Sequence, residues 1–109
     1  MIYHWCPEAD WQAAGDDYVP AGFAADGFAH CSFLDQIAAT ATALYRGTKD
    51  LVLLCIDEAG LPVLVEDCYD AGEAFPHVYG PIPRSSVRAV VPFPCEPDGT
   101  FVVPVGIPE

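Results

Sequence analysis

The chain has 109 residues, with sixteen acids against four bases, a formal charge of −12 and an apolar share of 52%. That length suits one domain with its own hydrophobic core, and two Trp, five Tyr and six Phe argue against disorder. Nucleic-acid binding needs clustered Lys and Arg to displace counterions, so Arg46, Lys49, Arg84 and Arg88 argue against a long nucleic-acid footprint and against an anionic membrane surface.

No apolar run approaches the roughly 18 residues that a membrane span requires. Met1 to Trp5 also lacks the basic start and long apolar core of a signal peptide, so the expectation is a soluble cytoplasmic protein with a solubilising acidic surface. Cys6, Cys31, Cys55, Cys68 and Cys95 are widely spaced, with no Cys-x-x-Cys pair. That spacing suits neither a zinc ribbon nor a redox dithiol, and predicts free thiols, mostly buried, in a reducing compartment.

In chain order, Met1 to Trp5 predicts a first strand. Pro7 suits the first turn of a short helix, Glu8 and Asp10 favour its dipole, and Gly15 ends it, with Trp11 as its core anchor. Asp16 to Asp26 predicts a loop. Phe28-Ala29-His30-Cys31 predicts a buried strand that runs into a helix capped by Ser32, with Asp35 three residues on. The buried face of that helix is expected to hold Leu34, Ile37, Ala38, Ala41, Leu44 and Tyr45, and Gly47 stops it.

Leu51 to Asp57 is continuously apolar up to its last residue, as a central strand covered on both faces would be. Glu58-Ala59-Gly60 predicts a turn, and Leu61 to Tyr69 an antiparallel hairpin partner. Asp70 to Pro76 reads as a loop, and Phe75 to Pro83 is too broken by proline for a long strand. Ser85 to Phe93 predicts a strand with Val87, Ala89 and Val91 on one face. Phe101 to Val103 closes a last hairpin, and Pro104 to Glu109 is a tail. Two helices in the first half followed mostly by strands, without regular β–α–β alternation, predict an α+β domain spanning 1–109. Its sheet is largely antiparallel or split, with the helices packed on it.

The chemistry-bearing residues concentrate in three places. His4, His30 and His77 each lie at or near a predicted strand, and imidazole is the usual general acid–base near neutral pH. A rim formed by His30 and Ser32 at a helix entrance gathers backbone donors and is the best place for a site. Their spacing contains no His-x-His or His-Glu-x-x-His motif, so no metal is expected. Cys31 before the helix could serve as a nucleophile, but alternation turns it away from His30 and into the core. Glu66 is either a solvent-face acid or a positioned carboxylate.

Five blocks appear in order: Ile2-Tyr3-His4, Gly27-Phe28-Ala29-His30-Cys31-Ser32, Leu44-Tyr45-Arg46-Gly47, Asp50-Leu51-Val52-Leu53-Leu54 and Phe75-Pro76-His77-Val78-Tyr79-Gly80-Pro81. Together they resemble a family of small, mostly bacterial proteins known as domain of unknown function 952, over nearly the whole chain. More distantly, a strand ending in Tyr-His, then Gly-aromatic-x-His-x-Ser entering a helix, resembles the ADP-ribosyltransferase superfamily with its RNA 2′-phosphotransferase branch. That resemblance implies an ADP-ribosyltransferase-like fold, with His4 holding the nicotinamide-side ribose of NAD and His30 as the second-strand residue. It further implies Ser32 at the helix entry, Tyr45 as a stacking partner, and His77 with Tyr79, or else Glu66, as the third element. Arg46 and Arg84 would grip a pyrophosphate. The expectation is a nucleotide-like ligand in a histidine-lined cleft. The alternative is a non-catalytic acidic interaction module whose histidines are structural.

Overall fold

The structure, a computed structural model, describes residues 1–67, 70 and 72–109. Its elements run β1 (Ile2–Pro7), α1 (Glu8–Ala13), β2 (Asp17–Tyr18), α2 (Phe23–Asp26), β3 (Ala29–His30), α3 (Ile37–Tyr45), β4 (Leu51–Ile56), β5 (Val63–Glu66), β6 (Phe75–Val78), β7 (Ile82–Pro83) and β8 (Val87–Pro92). Single 3-10 turns precede α3 and β8. The fold is α+β, and every strand pair is antiparallel.

β4 is the centre of the molecule because all six of its residues are apolar and all six are buried. Side chains alternate along a strand, so it feeds two cores. Val52, Leu54 and Ile56 join Ile2, Cys6 and Trp11 on one face, while Leu51, Leu53 and Cys55 join Tyr3, Ile37 and Phe93 on the other. β1 and β8 flank it, giving the order β1-β4-β8. The expected hairpin between β4 and the segment after Gly60 does not form. β5 pairs with β6 instead, in a second sheet ordered β3-β6-β5. The expected end of that strand at Cys68 and Tyr69 lies outside the described residues. Cys6, Cys31 and Cys55 are buried free thiols and Cys95 is a partly buried one.

Among the described residues, a backbone bridge joins the β1-β4-β8 sheet to the β3-β6-β5 sheet. Tyr3 and Ser32 exchange backbone hydrogen bonds at 2.9 and 2.8 Å, and β1 and β3 then part. This split creates the site described below. Ser32 spends its backbone on the bridge and does not cap the helix. The Gln36 side chain fills that role, accepting from the Phe33 N–H at 2.9 Å. Gly27 closes α2 in the left-handed region (φ 81°), which a side chain would strain, and turns the chain into β3.

Three further expectations need correction. Within the loop expected at Asp16 to Asp26 lie β2, which pairs with β7, and the short α2. Leu44, expected on the buried face of α3, is 72% exposed, while Ile37 and Ala41 are buried. Phe101 to Val103 form no strand, although Phe101 packs on Phe93 at 4.8 Å between ring centroids. The tail also docks: Ile107 is buried, and the Tyr3 hydroxyl donates to the Pro108 carbonyl at 2.6 Å.

Arg84 secures the end of α1. Its guanidinium lies 4.1 Å over the Trp11 ring and donates to the carbonyls of Trp11, Ala14 and Gly15 at 2.8, 3.0 and 3.0 Å. These carbonyls stand at the end of α1, where only that of Trp11 also accepts a backbone N–H, from Ala14 at 3.2 Å, so a planar fork of donors suits them better than an ammonium. Arg84→Ala is expected to lower the unfolding free energy by about 1–2 kcal/mol, with Arg84→Lys recovering less than half. Urea melts at constant slope test this. Equal midpoints for alanine and wild type would refute the clamp.

Candidate functional site

Where β1 and β3 part, a cleft of about 780 Å³ opens, within the size range of small-molecule sites. Its walls come from β1 (His4, Trp5 and Cys6), the α2–β3 segment (Asp26, Phe28 and His30) and the outer face of α3 (Thr40, Ala43 and Tyr45). The exposed end of α3 therefore has a role that its apolar spacing does not announce: Leu44 and Tyr45 line a cavity and are not core.

His4 lines the cleft from β1 and is buried, 8% exposed. Its Nδ1 lies 2.6 Å from the His30 carbonyl oxygen, which has no proton, so Nδ1–H is the donor. Burial holds the imidazole pKa below its ordinary value, which keeps the ring neutral with Nε2 as an acceptor. The Tyr18 hydroxyl lies 3.3 Å from Nε2 and donates to it. Burial raises the pKa of the Tyr18 hydroxyl and of the Cys6 thiol on the same wall. The result is a neutral, oriented pair of side chains, Tyr18 on His4, with His4 tied to the backbone of β3.

His30 stands at the rim with its side chain 44% exposed. Its Nε2 is 2.8 Å from the carboxylate of Asp26, placed four residues earlier by α2 and the Gly27 turn. Ser32 is buried and lines the cleft. Tyr45 lines it too, edge-on to Trp5 at 6.0 Å between centroids. Cys31 is buried and burial pushes its thiol pKa up to about 12, so it is a core thiol and no nucleophile.

The third histidine, His77, is edge-on to His30 at 5.5 Å between ring centroids but does not line the cleft. His77 pairs with His30 in the β3–β6 register but is 0% exposed, because the Phe28 ring stacks on it at 4.1 Å. Its Nδ1 is 3.0 Å from Glu66, and the Tyr79 hydroxyl donates to the same carboxylate. Hydrogen bonds from Tyr79 and then His77 hold the Glu66 pKa below the usual carboxylate range. His77, Glu66 and Tyr79 thus form a hydrogen-bonded group outside the cleft walls, with Phe28 between it and the cleft. Arg46 is outside too, donating to the Asp98 carbonyl at 3.3 Å, and Arg84 is engaged at α1. Among the described residues no group of three or more His, Cys, Asp or Glu side chains is placed to hold a metal ion.

Sequence reasoning missed several cleft residues: Trp5, Tyr18, Phe28 and the carboxylates of Asp10, Asp26 and Glu73. Of these, Asp26 carried a signal, standing four residues before His30 across a glycine. Tyr18 and Glu73 reach the cleft only through tertiary contacts.

Two crystal structures of protein CC0527 from Caulobacter crescentus, one of them a double methionine variant, are similar to this chain. Each is 32% identical, covers 93% of this chain and 92% of its own, and superposes with a TM-score of 0.83. The solution structure of the same protein is 31% identical over 92% of this chain and 90% of its own, with a TM-score of 0.75. A comparison with curated proteins finds no match. The family model described as "Protein of unknown function (DUF952)" matches residues 5–90, from the second half of β1 through most of β8; of the two cleft-lining histidines the match includes His30 and not His4. On that match, the chain belongs to the DUF952 family of proteins of unknown function.

Proposed function

We propose that the cleft binds a ribose-bearing, nucleotide-like small molecule of the NAD type, on a fold of the ADP-ribosyltransferase kind. The observation that carries this reading is the meeting of His4 and His30 in one aromatic-walled cleft of about 780 Å³. The Tyr18 contact to His4 Nε2 is long at 3.3 Å, so a ribose hydroxyl can compete for that acceptor. Tyr45 and Trp5 supply apolar faces for a heterocycle. The corresponding reaction is glycosyl transfer from NAD. As the bond from nicotinamide to ribose breaks, positive charge grows on the ribose, and the Asp26 and Glu73 carboxylates at the wall would offset it. The protein's part is positioning and electrostatics, with His30 and its Asp26 partner as the base nearest solvent.

A second reading, the non-catalytic module with structural histidines, is favoured by one specific observation: His77 is fully enclosed, with Glu66 on its ring. Histidine ring signals recorded by NMR during titration with NAD separate the two readings. Shifts at His4 and His30 together support the ligand site, and the His77 ring, in contact with His30 and Phe28, is expected to follow them. Three unmoved rings at saturating NAD leave the module.

A further inference from the structure

We propose that the cleft selects by charge: it favours the positively charged nicotinamide–ribose end of an NAD-type ligand, and each phosphate the ligand carries weakens its binding. The ribose part of this ligand rests on the function proposed above; the charge preference rests on the walls themselves. Three carboxylates, Asp10, Asp26 and Glu73, stand around the cleft. Between them lie the aromatic rings of Trp5, Phe28 and Tyr45. No Lys or Arg among the described residues lines it, and the remaining three positions are Cys68, Tyr69 and Ala71, none of them basic.

The three arginines are committed to other parts of the molecule. Arg84 grips the end of α1 and the Trp11 ring, Arg46 reaches the Asp98 carbonyl, and Arg88 pairs with Asp57 at 3.1 Å. A cleft with low-dielectric walls focuses the field of its charges, and here that field is negative. A phosphate entering it meets like charge with no guanidinium or ammonium to neutralise it. A cationic ring meets the opposite: carboxylates at the rim and the electron-rich faces of Trp and Tyr, which favour a cation over a neutral ring of the same shape. The domain's charge of −12 adds a field of the same sign.

A charge series on one skeleton tests this by calorimetry at pH 8: nicotinamide riboside (cationic ring), its reduced dihydro form (neutral ring) and nicotinamide mononucleotide (phosphate added). The cation is expected to bind at least about tenfold tighter than the neutral form, and the mononucleotide no tighter than the neutral form. The paired change Asp10→Asn and Glu73→Gln, which leaves the Asp26–His30 pair intact, is expected to shrink the preference for the cation, read as the ratio of the two affinities, to within about threefold. A thermal melt of that variant confirms that it is folded. Equal binding of cation and neutral form, tighter binding of the mononucleotide, or a preference that survives the paired change overturns the charge selection and leaves the ribose reading standing. Binding of none of the three overturns both.

Discussion

Leu54→Ala is expected to lower the unfolding free energy by about 3 kcal/mol, the middle of the range for a leucine in a closed core. For a chain of this size that is a fall in melting temperature of roughly 12 °C. Leu54 is fully buried on β4, between Val90 of β8 and His4 of β1 in the register. The cavity left by the missing methyls would lie against the strand that carries His4, so neighbouring atoms can collapse into it only by moving the floor of the cleft. Leu44→Ala is the matched control. That residue is 72% exposed at the end of α3, so its truncation should change stability by no more than about 0.5 kcal/mol. Two leucines that fit an apolar pattern equally well would then differ several-fold. Chemical denaturation of both variants decides it. A cost under about 1 kcal/mol for Leu54 would mean that this core is loosely packed.

His4 is the residue where stability and site meet. His4→Ala leaves the His30 carbonyl and the Tyr18 hydroxyl without their partner in a buried setting, an expected cost of about 2–3 kcal/mol. His4→Asn keeps a donor near the carbonyl and should cost less, yet it removes the acceptor at Nε2, so ligand binding should be lost in both. The wild-type protein also carries a pH signature. Burial depresses the His4 pKa in the folded state, so the native ring stays neutral while the unfolded chain takes up a proton below about pH 6.5. In that window the unfolded state binds more protons. Stability therefore falls as pH drops from 6.5, by up to about 1.4 kcal/mol per pH unit, until the folded pKa is reached. Glu66 has a lowered pKa, so its share is lost only at lower pH, below the usual carboxylate value near 4.5. Urea melts between pH 7 and 5 should show the slope in wild type and its flattening in His4→Asn. Parallel profiles for the two would place the titration elsewhere.

Local elements and fold class are legible in the patterning of the chain. The unbroken apolar run from Leu51 to Ile56 could only be a buried strand, Pro7 and Glu8 opened α1, and alternation along Val87, Ala89 and Val91 marked β8. These features depend on which neighbouring side chains face water, and residues close in the chain encode that directly. The five blocks that carried the family resemblance were legible for the same reason, being short and contiguous.

Strand partners are settled in three dimensions. β4 had several apolar candidates of equal quality and took β1 and β8 over the nearby β5, because pairing is a long-range choice made by the whole sheet. The same holds for the site. Alternation placed His30 and His77 on strands but could not reveal that Phe28 would cover one and leave the other at the rim. The bases tell a similar story: Arg84 looked like a ligand grip until three carbonyls at the end of α1 drew it in. Local periodicity tells which face a side chain is on. What stands opposite that face is set by segments tens of residues away, and that is where the cleft, its aromatic walls and its negative charge arise.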